Sequence, residues 1–157
     1  MYETAKEVSD ELYKISQIIR KELKKESKGF YDIFYRRQVK TYHTGKGDDF
    51  YDLIKHFQGY RNVLTKIEDT IEELFPFLKS LENSELERDL DEFMLLLDDA
   101  EDLLADIAKQ KIPLNRLDDF YELTNLMHNK IVDIRVTMQI ASGGVQKFDT
   151  WQQDKKE

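Results

Sequence analysis

Between Phe50 and Leu81 the apolar residues recur in steps of three and four without a miss. Phe50, Leu53, Phe57, Tyr60, Leu64, Ile67, Ile71, Leu74, Leu78 and Leu81 form the series. A period near 3.5 places every one of them on a single stripe of an α-helix. A seam of four such heptads predicts knobs-into-holes packing against other helices and leaves no room for a strand. The same steps recur in three further stretches: Ala5 to Ile19, Leu86 to Ile107, and Leu117 to Ala141. Only two prolines and six glycines interrupt the whole 157-residue chain. The spacing therefore predicts an all-α protein, an antiparallel four-helix bundle. Its first helical hairpin is long (residues about 4–43 and 48–82), and two shorter helices follow (84–109 and 115–141).

Local signals set the expected boundaries. The first helix runs from about Thr4 to Lys25, where Ser27-Lys28-Gly29 bends it before an aromatic stretch that also reads as helix. Gly45-Lys46-Gly47 marks a loop, with Asp48 as the next N-cap. Pro76 falls inside the second helix, and the apolar phase survives across it, which predicts a kink rather than a break. Ser84 with Glu87 has the spacing of a capping box, Asn115 precedes the fourth helix, and Ser142-Gly143-Gly144 supplies a left-handed stop. Residues 1–144 are read as one domain and 145–157 as a polar tail.

Composition narrows the chemistry. The chain has no cysteine, which excludes disulfides, thiolate catalysis and cysteine-ligated metals. No apolar run approaches the ~20 residues of a membrane span, and the opening residues carry no apolar signal core, so a cytoplasmic protein with no membrane partner is expected. Glu-x-x-His, the di-iron signature of helical bundles, is absent: Lys40, Leu53 and Asn125 stand three residues before His43, His56 and His128. Gly45-Lys46-Gly47 is too short for a phosphate loop and follows no strand. No cofactor is expected, and no motif is specific enough to name a family.

The net charge of −8 is unevenly spread. Ten acids lie between Glu85 and Asp106 against Arg88 alone, so the third helix carries −9 and the remaining 23 basic and 22 acidic residues nearly cancel. Asp91, Asp98, Asp99, Glu101 and Asp102 form a candidate acidic surface on it. Within that surface Asp98, Glu101 and Asp102 share one turn, a weak candidate for a divalent cation. The opposite character lies between residues 30 and 60, where nine of the 18 aromatic residues gather with Arg36, Arg37, Lys40, Lys46 and Lys55. Adjacent rings such as Tyr31 beside Phe30 point about 100° apart on a helix, so one face cannot bury them all. Tyr31, Tyr35, Arg36, Arg37, Lys40 and Tyr42 are accordingly the candidate partner-binding residues at the hairpin tip. The fourth helix carries a second apolar stripe, Val132, Val136 and Ile140, a candidate homodimer face.

These features point to a non-catalytic adaptor or inhibitor that acts by protein–protein interaction through the tip and the acidic helix. A metal-dependent enzyme or regulator built on the third helix is one alternative; a mimic of phosphate or nucleic-acid charge is the other. Nucleic acid itself is not an expected partner of so acidic a chain. If the tip is an interaction surface, Tyr35→Ala with Arg36→Ala and Arg37→Ala abolishes partner capture in a pull-down while circular dichroism and melting temperature stay nearly unchanged. Unfolding of the triple variant would instead mark those rings as core.

Overall fold

The computed structural model describes residues 2–23, 48–109 and 116–143, without the side chains of 48–54 and 56. Four α-helices make up these residues: α1 (Ala5–Glu22), α2 (Asp48–Ser80), α3 (Ser84–Ala108) and α4 (Leu117–Ala141). Each packs against its neighbours in sequence, and α4 closes the ring against α1, which gives a four-helix bundle. The three-residue turn between α2 and α3 forces them antiparallel. Asn83 and Glu85 at the start of α3 share a depression with Val136 and Ile140 at the end of α4, which sets that pair antiparallel too. No helix among the described residues is long and apolar enough to cross a membrane.

The expected seams are the core. Val8, Leu12, Ile15 and Ile19 of α1 are buried, as are Phe57, Tyr60, Leu64, Ile67, Ile71, Leu74 and Leu78 of α2. Every seam residue of α3 from Leu86 to Ile107 is buried, and so is every seam residue of α4 from Leu117 to Met138. Across the bundle the hydroxyls of Tyr60 and Tyr121 meet at 2.7 Å, so these two polar tips satisfy each other inside the apolar core. Phe120 stacks on Tyr60 with 5.2 Å between ring centroids and completes an aromatic cluster between the first turns of α4 and the body of α2.

The helix ends show where local chemistry differs from the expected boundaries. Thr4 caps α1 with a full capping box: its hydroxyl accepts from the Glu7 amide at 3.2 Å, and the Glu7 carboxylate accepts from the Thr4 amide at 3.2 Å. The helix stops at Glu22, three residues before Lys25, and the proposed extension over 30–43 lies outside the described residues. Helix α2 passes through Pro76 unbroken. The cap of α3 is Asn83 rather than Ser84. Asn83 holds the extended backbone that a cap needs, and its side chain accepts from the Leu86 amide at 2.9 Å, which makes Ser84 the first helical residue. Asn115 lies outside the described residues; α4 begins after Arg116, whose guanidinium bonds Asp119. Gly143 adopts a φ of 119° just beyond α4, where a glycine was expected to end it.

With 33 residues in α2 and 25 in α3, and a tight turn joining them, the surplus of eight lies at the N-terminal end of α2. At 1.5 Å per residue the first turns of α2 run about 12 Å past the end of α3. The tight turn has its own cost: Glu82 sits at φ 50°, a left-handed conformation that disfavours a residue with a Cβ. Glu82→Gly removes that strain, offset by the greater freedom of glycine in the unfolded chain. A net gain of about 0.5–1 kcal/mol in urea denaturation is expected.

Candidate functional site

Helix α3 must hide its seam against α2 and α4, and this turns its remaining residues outward. Its centre reads Phe93-Met94-Leu95-Leu96-Leu97, five apolar residues in a row. A helix that advances 100° per residue cannot bury all five on one stripe. Phe93 and Leu97 enter the core, and Leu95 is left 64% exposed. The helical neighbours of Leu95, three and four residues away on either side, are Asp91, Glu92, Asp98 and Asp99. All four are exposed. A leucine therefore stands on the surface inside a ring of carboxylates.

Across the joint from α3, Leu126 of α4 is 51% exposed. Together with Leu95 and Leu96 it lines a groove of about 480 Å³ between the two helices. Glu92 and Asp99 form one side of this groove, and Asp133 lies on the other. Lys130 lines it as well, but its charge is engaged: Nζ donates to the Glu92 carboxylate at 2.6 Å and lies 3.6 Å from the Asp89 carboxylate. The hydrogen bond from Lys130 holds the Glu92 carboxyl below its usual range, and Glu92 in turn raises Lys130. The groove is thus apolar on its floor, with Glu92 and Lys130 paired at its edge and Asp99 and Asp133 leaving the rims acidic in balance.

The other expected site residues separate on folding. Asp91, Asp98, Asp99 and Asp102 face solvent, whereas Glu101 is half-buried and faces Glu68 of α2. Burial first, then the hydrogen bond and the charge of Glu68, push the Glu101 carboxyl up to about 7. So Asp98, Glu101 and Asp102 do not converge, and no group of three or more histidine or acidic side chains among the described residues is placed to hold a metal ion. The second stripe of α4 also divides. Val132 is half-buried and lines a groove against α1, while Val136 and Ile140, the latter 63% exposed, line a depression against α3.

The tip residues Tyr31, Tyr35, Arg36, Arg37, Lys40 and Tyr42 lie outside the described residues. Of the nine rings between 30 and 60, Phe57 and Tyr60 are core. Sequence reasoning passed over Leu95 and Leu126 because both fall off the seams; the run of five apolar residues at 93–97 was the available signal for the first. No protein-family model, no curated protein and no solved structure matches the chain.

The Glu68–Glu101 pair gives stability a pH dependence of known sign. The folded carboxyl of Glu101 holds its proton to about pH 7, against 4.5 for the free group. The folded state is therefore favoured while Glu101 is protonated, and that contribution is lost as pH rises from about 4.5 through 7. Glu101→Gln keeps a donor toward Glu68 without the charge. Thermal melts of this variant are expected to flatten between pH 5 and 8 and to lie above those of the parent at pH 8.

Proposed function

We propose that this chain is a non-catalytic binding protein that receives a basic amphipathic helix of a partner protein in the groove between α3 and α4. The observation that carries the reading is the exposed Leu95 within its ring of four carboxylates. An apolar strip bordered by one sign of charge fits a helix with leucine-like anchors on one face and lysine or arginine at the edges. A second copy of this chain is a poor occupant, because its own acidic α3 would meet the same acidic rims. The aromatic and basic residues around Tyr35 and Arg36 supply a second contact in this scheme.

Titration of the labelled protein with a synthetic leucine–lysine amphipathic helical peptide tests the reading, with a scrambled peptide of equal composition as control. Amide shifts are expected around Leu95 and Leu126, weakening as salt rises because the rims are solvent-exposed. Leu95→Ser with Leu126→Ser should cost about tenfold or more in affinity, since burying one leucine is worth about 1.5–3 kcal/mol. Both positions are exposed, so the melting temperature should hold. Equal binding of the scrambled peptide overturns the reading, as does binding untouched by the double variant. A dimer by light scattering that the Leu95→Ser, Leu126→Ser variant dissolves would assign the groove to self-association instead.

A further inference from the structure

Among the described residues five large apolar side chains are exposed: Tyr13, Leu95, Leu126, Val136 and Ile140. A lone exposed leucine is ordinary, but four of these five stand along one joint, between α3 and α4. Leu95 and Leu126 line the groove of about 480 Å³. Val136 and Ile140 line a second depression, of about 500 Å³, farther along the same joint toward the start of α3. Lys130 and Asp133 line both, so the two hollows form one furrow.

The furrow has a register. Leu126, Asp133 and Ile140 follow one another by seven on α4. Two helical turns separate each from the next, so the three stand in one row, about 21 Å from end to end at 1.5 Å per residue. The row is apolar at both ends and charged at its centre. Asp133 makes no ion pair among the described residues, and Lys130 beside it turns instead to Glu92 and Asp89 of α3. The two ends differ in charge. Around Leu95 the carboxylates of Asp91, Asp98 and Asp99 also make no ion pair among the described residues. At the Ile140 end Arg88 stands in the wall with Glu85 and offsets it.

A helix laid along this furrow has the same period, so residues seven apart on it face Leu126, Asp133 and Ile140 in turn. We propose that the α3–α4 joint reads a partner helix over four turns or more, through two apolar anchors fourteen residues apart and a lysine or arginine midway against Asp133. The partner's other basic residues gather at the anchor that enters beside Leu95, where the carboxylates are unopposed. This inference rests on the reading of the α3–α4 groove as a helix-binding site and adds the second anchor, the register and the charge polarity of the partner. A second copy of the chain fits the row less well. Two α4 helices laid antiparallel would match Leu126 with Ile140 but set Asp133 against Asp133, and like charges face to face are costly.

Calorimetry and amide-shift titration of the full chain with two helical peptides of equal length and charge test the proposal. Both carry a leucine at a lysine-rich end and a lysine seven residues on; fourteen residues on, one has a second leucine and the other a serine. The two-leucine peptide should bind about tenfold tighter, and it alone should shift the amides of Val136, Thr137 and Ile140. Ile140→Ser, at an exposed position, should abolish that advantage, leave the affinity of the one-leucine peptide unchanged and keep the melting temperature. Replacing the midway lysine by glutamine should cost about two- to fivefold against the parent and nothing against Asp133→Asn. Equal binding of both peptides that Leu95→Ser still weakens overturns the second anchor and leaves the groove reading standing, whereas binding of neither overturns both. An advantage indifferent to Ile140→Ser, or a lysine preference indifferent to Asp133→Asn, overturns the register. A dimer by light scattering that Ile140→Ser dissolves would assign the row to a second copy instead.

Discussion

Each helix of this protein carries its buried apolar residues on one stripe, which only the other helices can cover. An isolated helix of 18 to 33 residues gains little in water from hydrogen bonding alone. What holds the chain is the joint burial of four stripes around one axis, where Leu12, Leu64, Leu97 and Ile131 are fully enclosed. Everything on the surface follows from that constraint. Once the seams face inward, the remaining positions are assigned to solvent or to the joints between helices whatever their chemistry.

That assignment puts most of the unusual chemistry on the two flanks of α4. One flank meets acidic α3 and leaves Leu95 and Leu126 in an acidic groove. The other meets α1, where the buried Arg135 bonds Ser9 and lies over the Tyr13 ring. The same helix also buries polar groups: Thr124 satisfies its hydroxyl on the Tyr121 carbonyl at 2.8 Å, and Arg135 leans on Ser9. Gln139 is buried with its Nε2 lacking a hydrogen-bond partner among the described residues. A helix chosen only for stability would not carry this load, since an unmatched buried polar group costs about 1–3 kcal/mol.

The fold was legible in the sequence to a high degree, and for one reason. Steps of three and four leave no alternative to a helical stripe, so the burial of Phe93, Leu97 and Ala100, or of Met127, Ile131 and Ile134, needed no tertiary information. Boundaries were less legible because several residues compete for one cap. Asn83 and Ser84 are both good caps, and only the extended backbone at Asn83 decides between them. The site was legible by halves. The acidic character of α3 was plain, but the partition of its acids was not. Glu101 differs from Asp98 and Asp102 only by facing α2, where Glu68 waits; Asp89 differs from Asp91 by facing Lys130.

The sequence by itself determined the number of main helices, their apolar faces and the concentration of negative charge on one of them, because all three depend on spacing within a single helix. Only the tertiary structure decided which surface residues share a groove. Val132, Val136 and Ile140 form one stripe in sequence, yet they divide between two joints, because each step of four residues turns the helix about 40° and a neighbouring helix occupies either side. Ser9 and Arg135 stand more than a hundred residues apart and meet only because α4 folds back along α1. Contacts between helices are set by the rotation and offset of whole stripes, and no local spacing encodes those.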